Sequence, residues 1–545
     1  MDMHRRTLNS ACRHADTFVM SLCSVEPSVK GFILRRRAII GLLGLLLGIW
    51  TVRWLMPNDG RPFWMSEDTH IPSSSDNSKE IVKSERPGAQ PSSQPSAAAH
   101  QNPDYRVDLS DVLDAPYIGW PLKRACEEVE PVEGVVWVCD KNWGGMGNIR
   151  NFILNCLRYG IEAGATGLVM PEIHLRDQED ITDYITPLKA PFSYMFDEAH
   201  FRAAMGDNCP HITLYNSTRD VPYFDPITAA ATTGGLAIPE IDPRTVVNVP
   251  QKCDAAETDR HVDRFGDRFR AYMLTGNTTG VTGTTTLLQP PSSTAPRLFR
   301  MVDKDKRPAL PVMWAWPVHR DGAEFANTFG SLLKFNPRLM RLGRRALEGM
   351  HEFSRTIGDE EEAEFVKRGA GGGRDHVHEG REGRFLGVHL RSEIDAEKFW
   401  PTYAEQREAY LRKAAEKNLT SVAYVACGDA GQIARFGRDA QAQLGMTVVS
   451  KTDVLAGADL AELESLTWDQ QAIVDFIVLA GSDYFVGNSR SSFSIFLAQR
   501  RHLQTDGLYT RQYKVRSEGF GRSFVVGPKE LYFDHWLFIW DAAWP

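Results

Sequence analysis

Residues Phe385 to Arg391 read Phe-Leu-Gly-Val-His-Leu-Arg, an apolar strand that closes on His389 and Arg391. In open α/β sheets ligands bind just beyond the carboxyl ends of the strands, which makes these two side chains candidates for a binding site. Further along, Asp483-Tyr-Phe-Val-Gly-Asn-Ser-Arg-Ser-Ser-Phe493 reads as another strand running into a helix. Ser491, Ser492 and Phe493 stand at that helix start, where outward-pointing backbone N–H groups and the helix dipole favour an anion. Arginine offers a planar fork of donors matched to phosphate oxygens. An arginine fork facing a helix start is chemistry for a phosphate group.

A third segment belongs with these two. Val135-Val-Trp-Val-Cys139 is followed by Asp140-Lys-Asn-Trp-Gly-Gly-Met-Gly-Asn148. Gly144, Gly145 and Gly147 allow a ligand or another backbone to come close, and Asn148 sits where a helix begins. The dinucleotide fingerprint needs a third glycine where Arg150 stands, which argues against a redox Rossmann enzyme. A plain β–α turn without a ligand is the competing reading of the loop.

Strands and helices have to hold these segments. After the glycine loop Ile149, Phe152, Ile153, Cys156, Leu157 and Ile161 recur at helical spacing, and Gly167-Leu-Val-Met170 reads as the next strand. In the second half a helix is expected over Phe335–Met350. Strands follow at Phe385–Leu390, Val422–Cys427, Met446–Ser450 and Tyr484–Gly487, alternating with helices around Tyr403–Glu416, Ile433–Leu444, Thr467–Leu479 and from Ser491 onward. Such alternation makes a doubly wound parallel sheet. The expected fold class is α/β, with two Rossmann-like doubly wound domains facing across a cleft, over 116–310 and 311–545. A head of that size exceeds one ordinary core. Within 175–310, runs such as Gly276–Thr286 and Gln289–Pro296 read as surface loops or insertions.

Ahead of the head, residues 1–37 are polar and basic and end on Arg35, Arg36 and Arg37. Residues 38–56 are apolar with one charge, Arg53. As a helix they span roughly 28 Å, enough for a hydrocarbon core of about 30 Å. Trp50 and Trp54 suit the headgroup belt, and Arg53 can snorkel to the interface. Positive charge on the N-terminal side predicts a cytosolic tail, a single-pass type II signal anchor and a luminal head. A cleaved signal peptide fits less well, because the leader is long and no Ala-x-Ala site follows closely. Residues 57–115 turn to Ser, Pro, Glu, Lys and Gln, a disordered stem. Sequons at Asn216, Asn277 and Asn418 suit a luminal glycoprotein.

The formal charge of −8 argues against a nucleic-acid partner. Of eight cysteines, Cys12 and Cys23 precede the span, whereas Cys126, Cys139, Cys156, Cys209, Cys253 and Cys427 follow it into an oxidising compartment. Their spacing fits no zinc pattern and does not choose a pairing; Cys427, inside an apolar strand, reads as a free core thiol. Asp303-Lys-Asp305 resembles a metal-holding Asp-x-Asp, but its neighbours are charged and no apolar strand is expected to lead into it, so a solvated turn is the better reading. His376 and His378 lie in a glycine-rich run without the fixed geometry of a metal site. None of these motifs reads as a metal site.

His389-Leu-Arg391 with Ser-Glu-Ile-Asp395, the strand Ala423-Tyr-Val-Ala-Cys-Gly-Asp429, and Asp475 eight residues before Asp483 in front of Val-Gly-Asn-Ser-Arg-Ser-Ser-Phe493 together resemble the GDP-fucose protein O-fucosyltransferase superfamily. The loop Gly144-Gly-Met-Gly-Asn148 is similar to that superfamily's N-terminal motif. The resemblance covers about 135–170 and 385–500. It implies a GT-B-like, metal-independent, inverting glycosyltransferase that moves fucose from GDP-fucose to a hydroxyl on a glycoprotein or glycan acceptor, in the Golgi or endoplasmic reticulum. By the same resemblance Arg391 would hold the β-phosphate, and His389 and Asp475 would meet guanine and ribose. Ser491, Ser492 and Phe493 would bind phosphate, and Asn148 with Gly145 and Gly147 would border the reacting centre. Where some members carry a glutamate able to act as general base, this loop has Gly145 and Met146. Glu393, Asp395, Asp140 and Glu172 stand in as strand-tip candidates, each with a structural alternative. Other readings are a different nucleotide sugar, an inactive GT-B head serving as a carbohydrate-binding or scaffolding module, and a metal-dependent transferase built on Asp303 and Asp305.

Overall fold

Valine-rich runs become strands, and the apolar helical repeats behind them become the helices that cover those strands. The structure, a computed structural model, describes residues 113–177, 179–183, 186–225, 238–243, 246, 262–275, 296–302, 316–367, 383–393, 396, 400–506, 522–527 and 542–545. The expected tail, membrane span and nearly all of the stem lie outside the described residues, as do Asn277, Asp303, Asp305, His376, His378 and Asp395. Among the described residues no helix is long and apolar enough to cross a membrane.

The first half carries β1 (Val132–Val138), helix α1 (Met146–Glu162), β2 (Ala165–Val169), the short antiparallel pair β3 (Ile173–His174) and β4 (Lys189–Ala190), β5 (Thr213–Tyr215), β6 (Glu240–Ile241) and β7 (Arg297–Met301). Five of these strands form a sheet in the order β5-β2-β1-β7-β6, every neighbouring pair parallel. Contrary to expectation, a strand does lead toward Asp303. In β7 Leu298, Phe299 and Met301 are buried while Arg297 and Arg300 are half-buried. The two arginines mask the apolar pattern because their heads find partners in distant segments, Arg297 on the Met273 carbonyl and Arg300 on Asp140.

In the second half come α2 (Pro337–Lys367), β8 (Leu386–His389), α3 (Tyr403–Glu416), β9 (Val422–Ala426), α4 (Ala430–Leu444), β10 (Thr447–Val449), α5 (Trp468–Ala480), β11 (Tyr484–Asn488), α6 (Ser492–Asp506) and β12 (Ser523–Val526). Their sheet runs β10-β9-β8-β11-β12, again wholly parallel. All residues of β9 and β11 are buried, as strands covered on both faces require. Helix starts are set by local chemistry. Thr402 with Glu405, and Thr467 with Gln470, form capping boxes, and Asp429 accepts from the N–H groups of Gly431 and Gln432. Gly445, at φ 70°, ends α4 in the left-handed region.

Strand order reverses between β1 and β7 in one sheet and between β8 and β11 in the other. The glycine loop follows β1, the His389–Arg391 tip follows β8, and the serine turn follows β11, so all three segments lie at switch points. An aromatic path ties the halves together. Phe196 stacks on Phe335 at 6.3 Å, and Phe335 meets Phe476 edge-on at 5.5 Å. Residues 542–545 pack on α1: Arg150 donates to the carbonyls of Trp544 (2.6 Å), Gly330 (2.8 Å) and Pro545 (2.9 Å), while Asn151 bonds Ala542 and Trp544. The Trp544 indole is enclosed by Phe325 and Phe329.

Candidate active site

The glycine loop is anchored at both ends. A disulfide joins Cys139, just past β1, to Cys156 in α1, and Cys126–Cys209 ties two flanking helices; Cys427 is a buried free thiol. Asp140 receives both arms of Arg300, each at 2.6 Å. Burial pushes the Asp140 carboxyl up, but the Arg300 hydrogen bonds and charge outweigh it and hold it below the ordinary range. Gly144 takes φ 100°, and a Cβ there would crowd the Asn148 amide, so Asn148 folds over the loop at the opening turn of α1.

The decisive contact is at Gly147. A Cβ placed on it would lie 2.7 Å from Ser492 Oγ and 2.9 Å from both Phe493 N and Ser492 C. Only a residue without a side chain lets the first turn of α1 touch the first turn of α6. The glycine loop of one half and the serine turn of the other are thereby brought face to face.

The β8 tip joins them. His389 lies against Phe493 with ring centroids 4.4 Å apart, and its Nδ1 is 2.7 Å from Ser494 Oγ. Burial, helped by the nearby Arg391 charge and opposed by Glu393, brings the His389 pKa down to about 4. Arg391, two residues on, donates to Glu393 at 2.7 Å and lies over the Trp400 ring at 5.3 Å. Gln406 exchanges hydrogen bonds with the Arg391 backbone N–H and C=O, fixing the tip. Glu393 also accepts from Gly428 N–H at 2.8 Å. Burial raises its pKa, but Arg391, that N–H and His389 together leave it below the usual value.

Arg391, His389, Ser491, Ser492, Phe493, Gly145, Gly147 and Asn148 therefore gather around two helix starts and one strand tip. Asp475 is placed differently. Its carboxylate accepts from Tyr424 OH at 2.7 Å and from Lys451 at 2.8 Å, and burial raises its pKa despite Lys451. Among the expected proton acceptors Asp140 and Glu393 are held by arginines, and Glu172 pairs with Lys189 at 2.7 Å. One carboxylate escaped the sequence reading. Asp469, in the first turn of α5, is 1 % exposed and pushed up to about 6 by burial, only partly offset by Arg176 with Nε 4.0 Å away. Arg176 comes from the first half and also lies over Trp468. Ser494 and Gln406 were missed as well. Ser494 comes right after the recognised Ser491-Ser492-Phe493, whereas nothing in sequence singles out Gln406 among helical glutamines.

A family model described as GDP-fucose protein O-fucosyltransferase matches residues 136–504. No curated protein sequence matches the chain. Among solved structures, POFUT1 in complex with GDP is similar at 12% identity and a TM-score of 0.36, over 73% of this chain and 98% of that one. POFUT1 in complex with GDP-fucose gives 11% and 0.37, over 72% and 97%. A mutant of Arabidopsis thaliana FUT1 in complex with GDP gives 12% and 0.31, over 70% and 72%.

Proposed function

We propose, on the premise that the chain belongs to the GDP-fucose protein O-fucosyltransferase family, that it transfers fucose from GDP-fucose to a hydroxyl group with inversion at the anomeric carbon and without a metal. The chain is a glycosyltransferase; the stereochemistry, the metal independence and the residue roles are our reading. The Gly147–Ser492–Phe493 contact carries it, because it closes one site from two halves.

In this reading the acceptor hydroxyl oxygen attacks the anomeric carbon and gives up its proton to solvent water, the bond to the β-phosphate oxygen breaks, and its electron pair leaves with GDP. Negative charge grows on the diphosphate as that bond lengthens. Arg391 and the N–H groups at the start of α6, with Ser491 and Ser492, are preorganised to receive it. Paired to Glu393 and held at its backbone by Gln406, Arg391 needs little reorganisation. Asn148, with Gly145 and Gly147, borders the reacting carbon from the opposite half. His389 meets the guanosine, and Asp475, with its carboxylate oxygens on Tyr424 and Lys451, holds those two side chains in place.

The two disulfides support a secretory compartment. Asn216 and Asn418 are exposed, as glycosylated asparagines must be. We place the head in the lumen of the Golgi or endoplasmic reticulum, anchored through residues 38–56. Calorimetric titration with GDP, GDP-fucose, GDP-mannose and UDP-sugars, with and without Mn²⁺, tests the proposal. GDP and GDP-fucose are expected to bind equally well in EDTA; binding that requires Mn²⁺, or that prefers UDP, would overturn it.

A further inference from the structure

We propose that Ser494 is a positioning residue that fixes the tautomer and ring orientation of His389, so that the imidazole presents an Nε2–H donor to the sugar nucleotide. This rests on the reading of His389 as a nucleotide contact. Ser494 is fully buried one residue beyond Phe493. Its Oγ accepts from the backbone N–H of Asn488 at 3.0 Å and lies 2.7 Å from His389 Nδ1. A hydroxyl has one proton to give. The oxygen keeps a second lone pair beside the one that takes the Asn488 N–H, but among the described residues its own proton has no acceptor other than Nδ1, so it is given to Nδ1 and the ring proton of a neutral imidazole is left on Nε2.

Other features agree with the assignment. The low His389 pKa keeps the ring neutral across the working range of a secretory enzyme. Phe493 covers one face, and Tyr410 OH holds the residue's carbonyl at 3.2 Å. Among the described residues no hydrogen bond is made at Nε2, so the ring is clamped through Nδ1 and keeps its other nitrogen for a ligand. A neutral Nε2–H donates to a phosphate, ribose or guanine oxygen and rejects a donor at the same place. The arrangement thus discriminates by hydrogen-bond polarity. A third serine, three places after Ser491, does this from within the same helix turn that meets the phosphate.

The experiment is ¹⁵N spectroscopy of histidine rings in the full chain, with GDP affinities for Ser494→Ala, His389→Gln, His389→Asn and Ser494→Ala/His389→Gln. Glutamine can place an N–H near the Nε2 position, whereas asparagine reaches only as far as Nδ1. In the parent chain near neutral pH, Nδ1 of His389 is expected to be unprotonated and hydrogen-bonded, and Nε2 protonated. Ser494→Ala is expected to weaken GDP on the order of tenfold, from one lost hydrogen bond and a loosened ring, and to raise the GDP-fucose KM more than it lowers kcat. His389→Gln is expected to keep GDP within about fivefold, His389→Asn to lose well over tenfold, and Ser494→Ala to add nothing in the His389→Gln background. A proton on Nδ1, or an undiminished Ser494→Ala effect in the His389→Gln chain, would overturn the proposal. If both His389 variants bind GDP as the parent does, the nucleotide-contact reading falls and takes the proposal with it. That outcome is recognisable because the ¹⁵N result stands independently.

Discussion

Gly147→Ala offers the sharpest test of a site closed from two halves. The added methyl would lie 2.7–2.9 Å from Ser492 Oγ, Ser492 C and Phe493 N, where ordinary contacts begin at 3.4 Å. Two of the three atoms are backbone, so α1 and α6 have to separate by roughly 0.5–1 Å, a displacement able to cost about 10²-fold in catalysis. Stability should register much less. Alanine gains about 1 kcal/mol of helix propensity over glycine, against an overpacking cost of about 1–3 kcal/mol. The expected outcome is a kcat/KM for GDP-fucose down about 10²-fold, with unfolding free energy lower by no more than about 2 kcal/mol. Gly145→Ala is the control, since a Cβ there meets nothing within 4 Å. Its unfolding midpoint is expected to match the parent's, and any rise in KM reports a ligand lying beside the loop. Thermal melts and initial-rate kinetics on both variants decide the matter. A Gly147→Ala enzyme within about threefold of the parent would refute the idea that this contact sets the site.

Arg391→Ala is expected to lower kcat by about 10²–10³-fold and to destabilise the head by about 1–3 kcal/mol, because buried Glu393 loses its partner. The double variant Arg391→Ala/Glu393→Gln should recover the stability in urea titrations without recovering turnover. Two buried groups give pH dependences of opposite sign. His389, at about 4 against an ordinary 6.5, stabilises the fold fully above pH 6.5, and that contribution of ~3 kcal/mol is lost as pH falls from 6.5 to 4. Asp469, at about 6 against 3.8, is held more tightly as the acid in the folded state, so it costs nothing below pH 3.8 and up to ~3 kcal/mol once pH has risen past 6. Denaturant titrations should therefore show Asp469→Asn more stable than the parent at neutral pH and equal to it below pH 3.8; equality at both ends would contradict the desolvation account.

Much of the second half was legible because its strands are covered on both faces and read as unbroken apolar runs. Helix α3 over Tyr403–Glu416 and the turns after β8 and β11 emerged directly from periodicity and small polar residues. The glycine loop was visible too, but not why Gly147 must be glycine: that depends on Ser492, which packs against it from far along the chain. Strand β7 was hidden by Arg297 and Arg300, whose partners come from distant segments. Asp469 was invisible for a related reason. A carboxylate in the first turn of a helix looks like an ordinary favourable charge, and only tertiary burial beside Arg176 changes its character. Asp140 was the converse case, a strand-tip carboxylate whose grip by Arg300 no local pattern foretells.

Residues 542–545 follow the second sheet in sequence yet complete the packing around α1, with Trp544 filling space between Phe325 and Phe329 and Arg150 binding its carbonyl. The halves are thus interlocked by chain order. A chimera that borrowed its entire second half from another enzyme would also import a foreign plug for the first, and a fragment cut near residue 310 would leave the Arg150 guanidinium without the carbonyls that solvate it. Shuffling of halves is expected to succeed only when this short segment is exchanged together with α1, which makes the two a single unit of inheritance despite their distance in the sequence.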